Sequence, residues 1–80
     1  MNSYKIIIEY PQKNQEYDYY EDFCNTTVES FDNDCDAVMH AIEKGKEYRK
    51  TTDEASVTVI VRKTSKYNHE WVDTILDIMI

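Results

Sequence analysis

Three stretches of this chain alternate side-chain character at every second position. Tyr4, Ile6, Ile8 and Tyr10 alternate with Lys5, Ile7 and Glu9, a period that puts the first set on one face of a β-strand. Pro11 has no N–H to give to a ladder and is expected to stop that strand. Asn25–Phe31 sets Thr26, Val28 and Ser30 against Thr27, Glu29 and Phe31. Ser56–Lys63 is the clearest strand, with Val57, Val59 and Val61 on one side and Thr58, Ile60 and Arg62 on the other. Gln12–Cys24 is polar and tyrosine-rich without a clean period, and reads as a long loop or an irregular hairpin arm.

One segment changes period. Cys35, Val38, Met39 and Ile42 fall at i, i+3, i+4 and i+7, one face of a helix over Asp34–Lys44. Asp32, Asn33 or Asp34 can cap its start, while Lys44, Lys46, Arg49 and Lys50 gather at its end; both placements suit the helix dipole. Gly45 is either the end of the helix or a weak point before a last turn through Tyr48. Residues 70–80 fit two periods. As a helix they show Trp71, Val72, Ile75, Leu76 and Met79 as a stripe; as a strand they put Val72, Thr74, Leu76 and Ile78 on one face. Their β-branched content and Asp77 near the negative helix end favour a strand paired with Ser56–Lys63 across Thr64–His69. The expectation is an α+β fold of order strand, strand, helix, strand, strand: a small antiparallel sheet with one helix packed on one face, a second C-terminal helix being the alternative.

Eighty residues with 41% apolar content make one domain, 1–80, with one modest core and roughly 4–12 kcal/mol of stability. A single Gly and a single Pro argue against disorder. Two cysteines, Cys24 and Cys35, fit a reducing compartment better than a disulfide framework. Met1-Asn2-Ser3-Tyr4-Lys5 leads into only three consecutive aliphatics, so no secretory leader is expected, and no run approaches the ~20 apolar residues of a membrane span. A cytoplasmic protein without membrane contact is the expectation.

Charge adds the functional clue. The chain carries −7 overall, but Asn14–Glu43 holds nine acids (Glu16, Asp18, Glu21, Asp22, Glu29, Asp32, Asp34, Asp36, Glu43) and no Lys or Arg. Asp32, Asp34 and Asp36 have a structural post at the helix N-terminus. Glu16-Tyr17-Asp18-Tyr19-Tyr20-Glu21-Asp22-Phe23 instead packs four acids among four aromatics. Tyrosines give large contact area at low entropy cost, and acids beside them draw in lysines and arginines of a partner. Partner-binding residues are therefore expected at Glu16, Tyr17, Asp18, Tyr19, Tyr20, Glu21, Asp22 and Glu29. The competing reading is that Tyr17, Tyr19 and Phe23 extend the core while the acids keep the loop wet. Duplex DNA carries one charge per ~1.7 Å of axis, so nine carboxylates match about 15 Å of duplex.

In length, acidity, lack of a catalytic motif and strand–helix–strand outline (Tyr4–Tyr10, Asn25–Phe31, Asp34–Lys44, Ser56–Lys63, with the acidic Glu16–Phe23), the chain resembles the small phage-encoded proteins that disable host defence, the anti-CRISPR and DNA-mimic anti-restriction proteins. The resemblance spans the whole chain but is one of character, and with no shared motif it carries over no site residues. It implies a non-catalytic inhibitor that occupies a basic groove of a host nuclease or its guide complex.

Other chemistry fits less well. Asp32-Asn33-Asp34-Cys35-Asp36 with Glu43 has the acids of a calcium loop, but Ala37 replaces the glycine of its sharp turn. Cys24, Cys35, His40 and His69 include no close Cys pair for zinc, Cys35 reading as a small core residue. No G-x-S-x-G or phosphate-cradling glycine loop occurs, so neither an enzyme nor a cofactor is expected. Two rival functions stay open: nucleic-acid binding by Lys44, Lys46, Arg49, Lys50, Arg62, Lys63 and Lys66, and a homodimer or larger homo-oligomer that uses an exposed strand edge with Trp71, Ile75 and Met79.

Overall fold

The computed structural model describes residues 2–13, 16, 19–51, 57–64 and 71–80. They form β1 (Asn2–Lys13), β2 (Tyr20–Phe31), α1 (Asp34–Thr51), β3 (Thr58–Thr64) and β4 (Trp71–Met79). Among the described residues the strands make one antiparallel sheet of order β2-β1-β3-β4. This is the expected α+β arrangement, and the C-terminal segment is the strand of the two alternatives.

The alternating residues carry the core. Tyr4, Ile6 and Ile8 of β1 and Val57, Val59 and Val61 around β3 are buried together under α1. Phe31, Leu76, Ile78 and Ile80 close the sides of this core. Between Val61 and Arg62 the pairing with β4 slips by a residue: Val61 faces Leu76 while Arg62 faces Thr74. The extra residue, Ile75, thereby joins Leu76 against the core, whereas Thr74 is exposed instead of sharing the buried face with Leu76 and Ile78.

Pro11 does not end β1. It sits in the strand opposite Asp22, beyond Glu9, the last β1 residue that β3 pairs. Among the described residues nothing pairs with that flank of β1, which is where a sheet tolerates proline.

The helix docks through a different face from the one its larger apolar residues mark. Cys35 is exposed and Met39 is 61% exposed, while Val38 and Ile42 are only half-buried. The buried positions are Ala37, Ala41 and Gly45, an i, i+4, i+8 stripe of the smallest side chains. A Cβ on Gly45 would overlap Val59 Cγ2 and come within 2.9 Å of Ile80 Cδ1, so the missing side chain is what lets the helix lie this close to the sheet. The helix passes through Gly45 and continues to Thr51.

Both helix ends are fixed. The Asp36 amide donates to Asn33 Oδ1 at 2.9 Å, which makes Asn33 the N-cap. The next residue ties the helix to the sheet: the Tyr4 hydroxyl donates to Asp34 Oδ1 at 2.6 Å and Lys63 Nζ donates to the same oxygen at 3.1 Å. Burial, and then the Asp34 bond, push the Tyr4 phenol above its ordinary value. The bonds from Tyr4 and Lys63 hold the Asp34 carboxyl below the usual carboxylate range, and the same contact raises the Lys63 ammonium. At the other end Tyr48 packs on Tyr10, ring centroids 4.8 Å apart. From Asp34 to Tyr48 the helix climbs about 20 Å, and β1 covers about the same distance from Tyr4 to Tyr10, so α1 runs alongside β1 in the same direction.

Two predictions follow from this docking. Gly45→Ala gains up to ~1 kcal/mol of helix propensity but overpacks against β-branched Val59, at a cost of about 1–3 kcal/mol; thermal unfolding should fall, whereas Met39→Ala should stay within about 0.5 kcal/mol of wild type. The second concerns pH. Because the folded-state pKa of Asp34 is lowered, its stabilising contribution is present above the ordinary value of 3.8 and is lost as pH falls through the folded value. Denaturant titrations of Asp34→Asn should show a flatter acid limb than wild type below about pH 4. Tyr4 and Lys63, both raised, act in the opposite window: their contribution is complete at neutral pH and is lost at strongly alkaline pH.

Candidate functional site

Past Glu9 the sheet narrows, among the described residues, to two strands. There Tyr10–Lys13 pair with Tyr20–Phe23, and this ribbon extends the β1–β2 hairpin by about 13 Å. The molecule is accordingly long, 46 Å on its main axis against 22 and 16 Å on the others. The described ends of the polar segment Gln12–Cys24 are thus strands of a hairpin arm, more regular than the sequence pattern implied: each residue from Lys13↔Tyr20 to Asn2↔Phe31 faces one partner.

Two-stranded ribbons are marginal alone in water; this one is braced at its root. Phe23 stacks on Tyr10 at 6.0 Å with planes 22° apart, and Tyr10 in turn rests on Tyr48 of the helix. Phe23 remains 40% exposed. Neither Tyr10 nor Tyr48 stands out by type alone; their pairing depends on the register of β1 with β2 and on the rotation of the helix.

Five of the eight residues expected to bind a partner lie on this arm. Glu16 is exposed at its tip. Tyr19 is 47% exposed and donates its hydroxyl to Glu21 Oε1 at 2.9 Å. Tyr20 opens β2 opposite Lys13, the one cation in the arm's two strands. Glu21 and Asp22 are neighbours in the strand and so point to opposite faces of the ribbon. Tyr17 and Asp18 fall outside the described residues. Glu29 is not gathered with the others: it lies eight residues along β2 from Glu21, about 27 Å away. There its Oε2 accepts from Thr27 Oγ1 at 3.1 Å and lies 3.2 Å from His40 Nε2, and Lys44 Nζ donates to Thr27 Oγ1 beside it at 3.2 Å.

At the arm's root an open depression of about 510 Å³ is bordered by Glu9, Tyr10, Pro11, Asp22, Phe23, Cys24 and Thr58. Two carboxylates, Glu9 and Asp22, rim it from adjacent strands, an arrangement suited to a lysine or arginine side chain. The even spacing of Glu9 on the Lys5–Ile7–Glu9 face was visible in the sequence; its approach to Asp22 required the hairpin register.

The remaining acids and cations are distributed differently. Asp32, Asp34 and Asp36 surround the helix start, with Asp34 bound to Lys63. Lys46, Arg49 and Lys50 are exposed along the end of the helix, near the arm's root. Arg62 and Lys63, as sequence neighbours in β3, face opposite sides of the sheet; Lys66 and His69 lie outside the described residues. Among the described residues, the cations of the helix end and of β3 are thus spread over more than one surface. Among the described residues no group of three or more His, Cys, Asp or Glu side chains is placed to hold a metal ion, and the residues of the calcium-like segment from Asp34 onward are helix. No described helix is long and apolar enough to cross a membrane. No protein-family model matches this chain, and neither a curated protein nor a solved structure shows significant similarity to it.

The bracing makes a separate prediction. Phe23→Ala removes a stacked contact worth about 0.5–1.5 kcal/mol from the root of the ribbon while leaving the core untouched. Amide exchange at Tyr10–Lys13 and Tyr20–Phe23 should quicken, with exchange at Ile6, Ile8 and Val59 little changed.

Proposed function

We propose that this chain is a non-catalytic binding module that inhibits a nucleic-acid-handling protein of host defence by seating its acidic β1–β2 arm in that protein's basic groove, in the manner of the phage-encoded proteins it resembles. The observation that carries the reading is the arm: a braced two-stranded projection with Glu16, Glu21 and Asp22 on both its faces, Glu9 at its root and exposed Tyr19 and Phe23 between them. A projecting ribbon enters a groove that the body of the domain cannot. Its carboxylates speed encounter with a cationic surface, and its aromatics supply contact area. Asp34 at the helix start already serves the fold, bonded to Tyr4 and Lys63.

The test uses a guide-loaded CRISPR nuclease and a restriction nuclease, each bound to labelled duplex DNA. Added in excess, the chain should displace the DNA from one of them, less efficiently as salt rises. The Glu21→Lys, Asp22→Lys double variant should need at least tenfold more protein for the same displacement, with thermal unfolding nearly unchanged. Equal inhibition by wild type and variant would remove the arm from the contact. A gel shift of free oligonucleotide by the chain itself would favour the nucleic-acid-binding rival.

A further inference from the structure

The sheet has two edges, and they differ. β4 pairs with β3 through two irregularities, between Val61 and Arg62 and between Lys63 and Thr64, a usual protection against further strand pairing. β2 has none. Its twelve residues pair one-to-one with β1 from end to end, and the strand contains no Pro, Lys or Arg. Among the described residues nothing pairs with its outer side. About six residues of β2 therefore direct backbone N–H and C=O groups outward from the sheet.

The two faces beside this edge have distinct chemistry. On the helix side stand Glu21, Phe23, Asn25, Thr27 and Glu29. On the other side stand Asp22, Cys24, Thr26 and Val28, the last 60% exposed. We infer that β2 accepts an extended segment of the partner as a fifth strand, and that this segment carries Lys or Arg on one face and β-branched residues on the other. The backbone ladder would supply affinity and the side-chain alternation would supply selection. Charge complementarity decides the occupant: a second copy of this chain brings the same net −7 and the same acidic strand. The inference rests on the proposed binding role, and it names the main-chain contact through which that role would be exercised.

The probe is a nine-residue peptide alternating Lys with Val or Thr, compared with an isomer of equal charge whose central residues are proline, so that it cannot form a strand. The alternating peptide should bind at least tenfold more tightly. It should also slow hydrogen exchange at alternate amides of Asn25–Phe31 by tenfold or more. Equal binding of the two peptides, or no added protection on β2, would overturn strand addition. So would concentration-dependent dimerisation of the chain alone with protection of the same amides.

Proline substitutions in β2 separate this inference from the broader reading. Thr26 and Thr27 are adjacent, so one directs its N–H to β1 and the other outward. Of Thr26→Pro and Thr27→Pro, the variant that keeps its fold by circular dichroism lacks an outward donor but retains every charge. It should lose at least tenfold in peptide affinity and in nuclease inhibition. If instead its inhibition is unchanged while Glu21→Lys, Asp22→Lys still abolishes inhibition, strand addition falls and the acidic arm stands. If the charge-reversed variant also inhibits normally, both fall.

Discussion

A helix can approach a sheet only as closely as the side chains between them allow, and here three positions set that distance. Ala37, Ala41 and Gly45 form the buried stripe of α1, and at Gly45 there is no room for even a methyl group. This close contact governs the neighbouring geometry. It sets the rotation of the helix, which turns Cys35 and Met39 to solvent and brings Tyr48 over Tyr10. It also sets how far along β1 the helix reaches, and hence where the supported sheet ends and the two-stranded arm begins. Glycine inside a helix normally costs about 1 kcal/mol relative to alanine. Burial of Val59 and Ile80 against its bare backbone offsets that cost.

The charges follow the same frame. The helix start collects Asp34 and Asp36 and its end collects Arg49 and Lys50, each matched to the nearby end of the dipole. Asp34 does more, receiving bonds from Tyr4 and Lys63 and so joining the helix to both central strands. Glu29 sits by His40 on the helix side of β2. The projecting ribbon carries a further set of acids, Glu16, Glu21 and Asp22, of which Glu21 accepts from the Tyr19 hydroxyl. The cations at the helix end lie near the ribbon's root.

The strands were legible because a two-residue period needs no knowledge of the partner: Tyr4, Ile6 and Ile8, like Val57, Val59 and Val61, are buried as their alternation implies. The helix was legible in place but not in rotation. Ranking by hydrophobicity selects Val38, Met39 and Ile42, whereas close packing selects the smallest residues, and those two criteria point about a third of a turn apart. The clue was the chain's sole glycine, placed within the helical period rather than after it. Pro11 misled for a related reason: a proline ends a strand only where both flanks are paired, and whether β3 reached that far could not be read locally. The acidic segment announced its composition, but the separation of Glu29 from Glu21 is a matter of strand length and became visible only once the two were known to share one unbroken strand.

The face of the sheet away from the helix offers the other conceivable surface, and its composition argues against it. Ile7 is only 9% exposed there, covered by its cross-strand neighbours Ile60 and Thr26. Around it stand Lys5, Glu9, Arg62 and Asp77, charges of both signs on adjacent strands. Such a mixture keeps an uncovered face hydrated and gives no single polarity for a partner to match. β2 differs in both respects. Its charges have one sign, and its outer backbone groups form a regular row. The same acids that would repel another copy of the chain would attract a cationic strand, so a single arrangement of side chains can both discourage self-association and select a partner.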